Sequence, residues 1–399
     1  MKTSLFFILF FAVLGLCGAK TADSLRQKAA AGEIPSMVAL GDEYFRGVNR
    51  PRNFTLASFW YRKAALAGSH LGNYRFAVCL EFGWGLKKNP RLAFEHYQKA
   101  LSIESARLRM AEMLLKGIPA AGELAEVSAD REKALLMLRQ LCKQNYYPAF
   151  MLLARVLYEN SETKKRCADE IYQLVLRSAN TQHQVPEVLI FQAKLLQEGI
   201  GIKQDVVYAR ALLEIAARSG NSEAEFLFAQ MLESGQGTPV NQKKAFEYCA
   251  RSAKASFPAA QVRMGDYLLE GNFVPHDPQE AVTLFRKAAE KKYAPALRKL
   301  GWCSENGIGV KKDPGSAFEF YEQSAALGDP LGIYHAGRCL LKGIGVKADP
   351  TGAFYFFKRS AALGCREGML SLAECYRTGL GCIADIPLSQ RLKDEAEKL

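Results

Sequence analysis

The sequence predicts an all-α fold, a superhelical solenoid of about ten two-helix repeats of 36 residues each. Three observations support this prediction. The composition is rich in Ala, Leu, Glu, Lys and Arg, which favour helix. The chain has 399 residues and is 49% hydrophobic, enough for a large core. Finally, the amino-acid sequence repeats itself with a period typical of solenoids. Numbered in chain order, copies one and two begin at Gly32 and Gly68, looser copies three to five begin near Ser102, Asn145 and Gln184, and copies six to ten begin in register at Gly220, Ser256, Lys292, Gly328 and Gly364.

The first helix of each repeat is predicted from apolar or small residues 4, 8, 9 and 12 positions after its start, as at Ala224, Phe228, Ala229 and Leu232. This spacing lines one face of an α-helix. We expect the helix to end at a glycine 15 positions after the start, because glycine readily adopts the left-handed C-cap conformation. These glycines are Gly47, Gly83, Gly117, Gly199, Gly235, Gly271, Gly307, Gly343 and Gly379.

The second helix is predicted to start at an Asp or Asn 21 positions into the repeat, since these side chains accept hydrogen bonds from free backbone amides. An alanine follows four residues later, and then an aromatic or leucine pair such as Phe320–Tyr321, which we expect to wedge between stacked helices. The predicted N-caps are Asn53, Asn89, Asp205, Asn241, Asp277, Asp313, Asp349 and Asp385.

The glycine-rich stretch "LGWCSENGIGVKKDP" (300–314) raises the alternative of a phosphate-binding loop. Such a loop needs Gly-x-x-x-x-Gly-Lys-Ser/Thr between a strand and a helix. Here the spacing differs, no strand precedes the glycines, and the motif recurs along the chain. We therefore interpret it as a joint between helices.

Taken together, "ALGDEYFRG" (39–47) and "ASFWYRKAALAG" (57–68) resemble the Sel-one-like repeat, a relative of the tetratricopeptide repeat. The resemblance spans about residues 32–399, and it weakens in copies three to five, where copy three carries an insertion at 118–130 and copy four lacks Gly-x-Gly. It implies a right-handed α-α superhelix that acts as an adaptor for protein complexes, often exported or associated with the bacterial envelope.

The N-terminus reads as a secretory signal. Lys2 precedes the apolar run Leu5–Leu16, and Gly18 and Ala19 follow. This pattern predicts a signal peptide over 1–19, a capping helix over 20–31 and a secreted or periplasmic mature protein. Lipid attachment at Cys17 is the rival interpretation.

Signals for chemistry are few. The five histidines are scattered, and neither a metal site nor a cofactor is predicted. Ser161 and Lys164 match Ser-x-x-Lys, but the companion motifs of penicillin-recognising enzymes are missing. We therefore predict that the chain is not an enzyme. Among the cysteines, Cys365 or Cys382 could form an isolated bridge, whereas four in register are expected to pack as buried small apolar residues: Cys79, Cys303, Cys339 and Cys375.

The first helices of such superhelices conventionally line the concave face. The residue 10 positions after the repeat start is polar in most copies, so we expect this position to face water. In copy eight it is Trp302. Trp and Arg dominate interface energetics. One hypothesis is a basic-aromatic partner-binding patch; the alternative is a solvated face on which Trp302 covers its neighbour. The patch would comprise Arg263, Lys299, Trp302, His335, Arg338 and Lys342.

The leading functional prediction is an exported scaffold that binds a protein or peptide in its concave groove. The alternative is an envelope protein that binds or hydrolyses peptidoglycan or β-lactam-like molecules. The formal net charge of +12 favours an acidic protein or an anionic envelope polymer as partner. Nucleic acid is not predicted, because the chain is expected to be exported and carries no nucleic-acid motif.

Overall fold

A computed structural model describes residues 24–120, 125–181 and 185–398. The expected signal peptide and Cys17 lie outside these residues. The fold is all-α, as predicted, and divides into two compact units, residues 1–181 and 182–399, which we describe separately. Within the described ranges, no helix is both long and apolar enough to span a bilayer.

The first unit opens with a short helix α1 (24–30), which falls within the segment expected to cap the repeats. Four helix pairs follow, and the fourth is interrupted by the short helix α9. The helices are α2 (Ile34–Arg46), α3 (Phe54–Leu66), α4 (His70–Phe82), α5 (Pro90–Gln98), α6 (Glu104–Lys116), α7 (Arg131–Lys143), α8 (Pro148–Glu159), α9 (Ser161–Arg166) and α10 (Ala168–Thr181).

The second unit consists of six helix pairs of nearly constant length. Its helices are α11 (Pro186–Glu198), α12 (Val206–Arg218), α13 (Ser222–Ser234), α14 (Gln242–Lys254), α15 (Pro258–Glu270), α16 (Pro278–Glu290), α17 (Ala294–Asn306), α18 (Pro314–Ala326), α19 (Pro330–Lys342), α20 (Pro350–Ala362), α21 (Arg366–Thr378) and α22 (Ile386–Ala396). The first helices α15, α17, α19 and α21 contact one another in succession.

Helix ends lie where the sequence places them. Helix α17 stops before Gly307, whose φ of 74° puts it in the left-handed region, and its amide donates to the carbonyl of Cys303. Helix α18 starts after Asp313, whose side chain accepts a hydrogen bond from the Ser316 amide at 3.1 Å. All eight predicted Asp and Asn caps accept such a bond. Glycine-ended first helices and Asx-capped second helices therefore recur in both units.

The Gly-x-Gly segment is a joint between repeats. Gly345 has a φ of 69°, and a Cβ added there would collide with the backbone carbonyl of Pro314 at the start of α18 in the preceding repeat. Gly309 makes the same approach to Pro278 at the start of α16. The second glycine thus allows two backbones to touch, which explains why the motif recurs.

In several repeats a buried aromatic ring of the second helix packs against a glycine of the first helix. Tyr321 is fully buried, and a Cβ added at Gly301 on the facing first helix would lie 2.7 Å from its ring. The predicted wedge residue is therefore the second member of the Phe320–Tyr321 pair. The alanine after each N-cap is 0% exposed in seven repeats, at Ala57, Ala93, Ala209, Ala245, Ala281, Ala317 and Ala353.

The predicted insertion at 118–130 is described except for residues 121–124. An isolated antiparallel bridge joins Ile118 to Val127, and Asp130 caps α7 through the Lys133 amide at 2.9 Å. Arg91 on α5 donates to the carbonyl of Ala125 at 2.7 Å. The described part of this insertion is thus held against the repeats on both sides.

Candidate functional site

The six residues of the predicted patch lie on three successive first helices of the second unit. Arg263 is on α15, Lys299 and Trp302 are on α17, and His335, Arg338 and Lys342 are on α19. Three of them, Lys299, Trp302 and His335, line a groove of about 440 Å³, which we call the Trp302 groove. Its other lining residues are Asp266, Leu269, Glu270 and Arg298.

Trp302 is the exposed aromatic of this groove. It retains 40% of its surface, although its neighbours Leu300 and Cys303 are buried. Its backbone carbonyl accepts a hydrogen bond from the Asn306 side chain at 2.8 Å, within the last turn of α17. The exposed ring therefore lies near the C-terminal end of α17.

The cations lining the groove are paired with carboxylates. Lys299 Nζ lies 2.7 Å from Asp266 Oδ1, and Arg298 Nε lies 2.8 Å from Asp329 Oδ2. Each pair joins two successive repeats. Such pairs at the edge of solvent contribute little net stability, but they cancel the local charge.

Arg263 and Arg338 are also committed to the fold. Arg263 Nε lies 3.1 Å from Glu233 Oε1, and its guanidinium stacks over the Tyr267 ring at 4.2 Å. Its Nη1 contacts Glu270 at 3.2 Å.

Arg338 pairs with the Glu305 carboxylate. The Tyr321 hydroxyl donates to the same carboxylate at 2.9 Å. Because each arginine already has a charged partner in the chain, neither is available as a free cation.

His335 is part of the same network. Its ring stacks on Tyr321 with 4.9 Å between centroids, and its Nδ1 is buried without a hydrogen-bond partner among the described residues. Burial, together with the charges of Arg338 and Arg298, lowers the pKa of His335 to about 4. This side chain is therefore neutral at pH 7.

These contacts correct the predicted basic character of the patch. The lining holds two cations, Arg298 and Lys299, against two carboxylates, Asp266 and Glu270, with a neutral His335. Among the lysines and arginines of the predicted patch, Lys342 alone is exposed and lacks an ion pair within the described chain. The groove is polar and aromatic with balanced charge, because acidic residues of adjacent first helices oppose the basic ones.

Most of the chain matches the sequence profile of one repeat family. The sequence profile of the Sel1 repeat matches nine segments: residues 34–69, 70–102, 105–146, 193–221, 222–257, 258–293, 294–329, 330–365 and 366–392. The chain belongs to the Sel1 repeat family. The unmatched stretch between residues 146 and 193 holds the pair α8 and α10, where the Gly-x-Gly motif is missing.

Solved structures share the fold. A protective antigen of uropathogenic Escherichia coli with an SLR fold is 23% identical, with a TM-score of 0.54, and the alignment covers 94% of this chain and 82% of that one. A Sel1 repeat protein from Oxalobacter formigenes is 24% identical, with a TM-score of 0.50, and the alignment covers 66% of this chain and 96% of that one. No curated protein matches significantly. Sel1 repeat proteins generally mediate protein–protein interactions, and their fold is typically non-enzymatic.

These Sel1 repeats also share a side-chain triad that the sequence pattern did not predict. A buried tyrosine, a carboxylate and an arginine of the following repeat form a triad, as in Tyr321–Glu305–Arg338. The first unit holds two more: Tyr61–Asp42–Arg75 and Tyr97–Glu81–Arg109. The tyrosine 29 positions into the repeat is a signal that could have revealed them.

The structure also places the residues singled out for other chemistry. Ser161 is exposed in the first turn of α9, and Lys164 Nζ lies 4.6 Å from the centroid of the Tyr158 ring. Over the described residues, no cluster of three or more His, Cys, Asp or Glu is arranged to hold a metal.

The cysteines in register are buried and unpaired, as their spacing predicted. Burial raises the pKa of Cys79 to about 12 and that of Cys339 to about 11. Cys365 is buried, Cys382 is partly exposed, and both are free thiols.

Proposed function

We propose that this chain is a non-enzymatic interaction scaffold that binds a partner protein or peptide through the Trp302 groove. The observation that carries the proposal is Trp302 itself. A large aromatic is 40% exposed at a position that is polar in most other repeats, above a groove between first helices. Tryptophan in a preformed pocket is the residue type that dominates interface energetics.

The chemistry of the groove restricts the partner. Its charges are balanced, so a stretch of acidic residues would gain no net attraction there. An apolar or aromatic side chain against Trp302, flanked by hydrogen-bonding groups near Asp266 and Arg298, fits the lining better. The partner segment we propose is therefore close to neutral, which revises the acidic partner expected from net charge.

Site-specific crosslinking tests this proposal. A photo-crosslinking phenylalanine analogue would replace Trp302 in the full chain, and the same analogue at Tyr355 would serve as control. Tyr355 is 66% exposed on α20, a second helix of the same unit. We expect one partner to crosslink at position 302 and not at 355, and Trp302→Ala to weaken its binding by at least about thirtyfold. Equal crosslinking at both positions, or unchanged binding by Trp302→Ala, would contradict the proposal.

We also infer that the scaffold is exported. The support is the apolar run Leu5–Leu16 after Lys2, with small residues at Gly18 and Ala19. Expression of the full chain in a bacterial host should yield a protein outside the cytoplasm that begins at Lys20. A full-length cytoplasmic product would contradict export, and a lipidated product beginning at Cys17 would contradict cleavage after Ala19.

A further inference from the structure

A second groove lies in the first unit, between the second helices α3 and α5. One stripe of α3 forms one wall, with Phe59, Arg62 and Leu66 spaced as on a single helix face. Helix α5 forms the other wall through Leu92, His96 and Lys99. We call this surface the Phe59 groove; it measures about 970 Å³.

The groove has a buried apolar floor and an exposed apolar rim. Phe76 and Leu80 of α4 form the floor and retain 6% and 4% of their surface. On the rim, Phe59 is 47% exposed and Leu66 is 76% exposed. A recessed cleft with apolar side chains at both depths suits an inserted row of side chains better than a flat surface.

The charges of the Phe59 groove have one sign. Arg62, Lys87, Lys88 and Lys99 line it and are all exposed. No acidic side chain belongs to the lining, and none of these four cations forms an ion pair within the described chain. Burial and the neighbouring charges of Lys99 and Arg62 lower the pKa of His96, although Glu95 opposes them. The groove is thus a site of positive potential.

We infer that the Phe59 groove binds an acidic amphipathic peptide segment of another protein. The unpaired cations complement acidic side chains, and the apolar floor accepts one face of a helix. From Thr55 to Leu66 the α3 stripe extends over roughly 16 Å, enough for about three turns of a bound helix. This site is separate in chemistry from the Trp302 groove, so the inference goes beyond the proposed scaffold function.

Another repeat shows that the groove residues are not required by the fold. In copy eight, the positions of Phe59 and Arg62 are occupied by Glu319 and Glu322, both exposed on α18. A carboxylate at these positions is therefore compatible with the same helix. This makes Arg62→Glu a variant that should fold, and it allows loss of binding to be separated from loss of structure.

The test uses the full chain and fluorescein-labelled peptides of about 14 residues. The probe peptide carries Leu at helical spacing and Glu elsewhere; one control replaces each Glu by Lys, and another replaces each Leu by Ser. Fluorescence anisotropy at low salt should show binding of the Leu–Glu peptide and neither control. Raising the salt to about 0.5 M should weaken this binding, because screening reduces surface electrostatics.

Protein variants complete the test. Arg62→Glu/Lys99→Glu should weaken the Leu–Glu peptide by at least about tenfold and allow the Leu–Lys peptide to bind. Leu66→Ser should also weaken it, whereas Trp302→Ala should leave it unchanged. Circular dichroism and the melting temperature would confirm that each variant is folded.

Three results would overturn the inference. These are equal affinity for the Leu–Glu and Leu–Lys peptides, unchanged binding by Arg62→Glu/Lys99→Glu, and binding of anionic lipid vesicles with no binding of the peptide. Because Trp302→Ala is scored in parallel, failure here is distinguishable from failure of the scaffold function.

Discussion

The Trp302 groove and the Phe59 groove are built from the same type of repeat but differ in how their charged side chains are paired. Both lie between helices of successive repeats and both present an exposed aromatic ring. In the Trp302 groove, Lys299 and Arg298 each meet a carboxylate of a neighbouring repeat. In the Phe59 groove, Arg62 and Lys99 form no ion pair with a carboxylate of the described chain.

The difference shows where charge belongs to the fold and where it is available for binding. Successive first helices of the second unit contact one another, so charged side chains such as Arg338 and Glu305 pair across the joint. No such acidic partner lines the cleft between α3 and α5. Unpaired charge, rather than charge itself, therefore marks a surface able to recruit a partner.

The largest loss of stability is expected from disrupting the Tyr321–Glu305–Arg338 triad. Glu305→Ala removes the acceptor of both the Arg338 guanidinium and the Tyr321 hydroxyl, each held on a largely buried carboxylate. We expect the free energy of unfolding to fall by about 2 kcal/mol, measured by urea denaturation, because a charge and a hydroxyl lose their partner. Arg62→Glu in the Phe59 groove should change it by less than about 0.5 kcal/mol.

The control for this prediction is Glu319→Ala. Glu319 is an exposed carboxylate in the same repeat, with no ion pair among the described residues, so its removal should be nearly neutral. Equal destabilisation by Glu305→Ala and Glu319→Ala would show that the network is not structural, and the contrast between the grooves would fail.

A smaller effect is expected from pH at His335. The side chain is packed between Tyr321 and Tyr334, and the charged groups around it are Arg298, Arg338, Glu305 and Asp329. The pKa of His335 is about 4 in the folded chain, against about 6.5 when unfolded. The unfolded state therefore binds the proton first, and stability present above pH 6.5 is lost as the pH falls towards 4.

The expected loss from this residue between pH 7.5 and about 5.5 is about 1 to 2 kcal/mol, seen as a fall in the urea midpoint. His335→Phe keeps a ring against Tyr321 and should lower the pH dependence by that amount. His276→Phe, at an exposed histidine of the same unit, should keep the wild-type dependence. Identical pH profiles of stability for the wild type and His335→Phe would show that His335 is not the source of this loss.

Local signals in the sequence were sufficient for the architecture. The cap at Asp313 and the left-handed Gly307 depend on a few neighbouring residues, so their spacing predicts every helix boundary around them. The buried ring of Tyr321 likewise follows from its place in the repeat. These features recur because each repeat must stack on the next in the same way.

Side-chain pairing between repeats was not predictable in this manner. One of the two hypotheses placed Arg338 in a partner-binding patch; in the structure it pairs with Glu305, 33 residues earlier. Which carboxylate it reaches depends on the rotation between adjacent helix pairs, and this is not encoded in spacing alone. The Phe59 groove is unpredictable from spacing for a related reason, since whether Arg62 and Lys99 find a carboxylate also depends on how α3 and α5 are placed.

The smallest expected effect is a difference in acetylation rate between lysines that form an ion pair and lysines that do not. Under limiting acetic anhydride, Lys87, Lys88 and Lys99 should be acetylated before Lys299, as followed by mass spectrometry of peptides. Lys299 is held 2.7 Å from Asp266, and an ion pair of about 0.5 to 1 kcal/mol slows acetylation by a factor of about two to five.

Two internal controls make this prediction specific to pairing. Lys342, exposed on the same face as Lys299 but without an ion pair in the described chain, should react as fast as Lys99. Asp266→Asn should raise the rate at Lys299 and leave the rate at Lys342 unchanged. If Lys299 instead reacts as fast as Lys99 in the wild type, its charge is available at the Trp302 groove, and that groove would attract acidic partners after all.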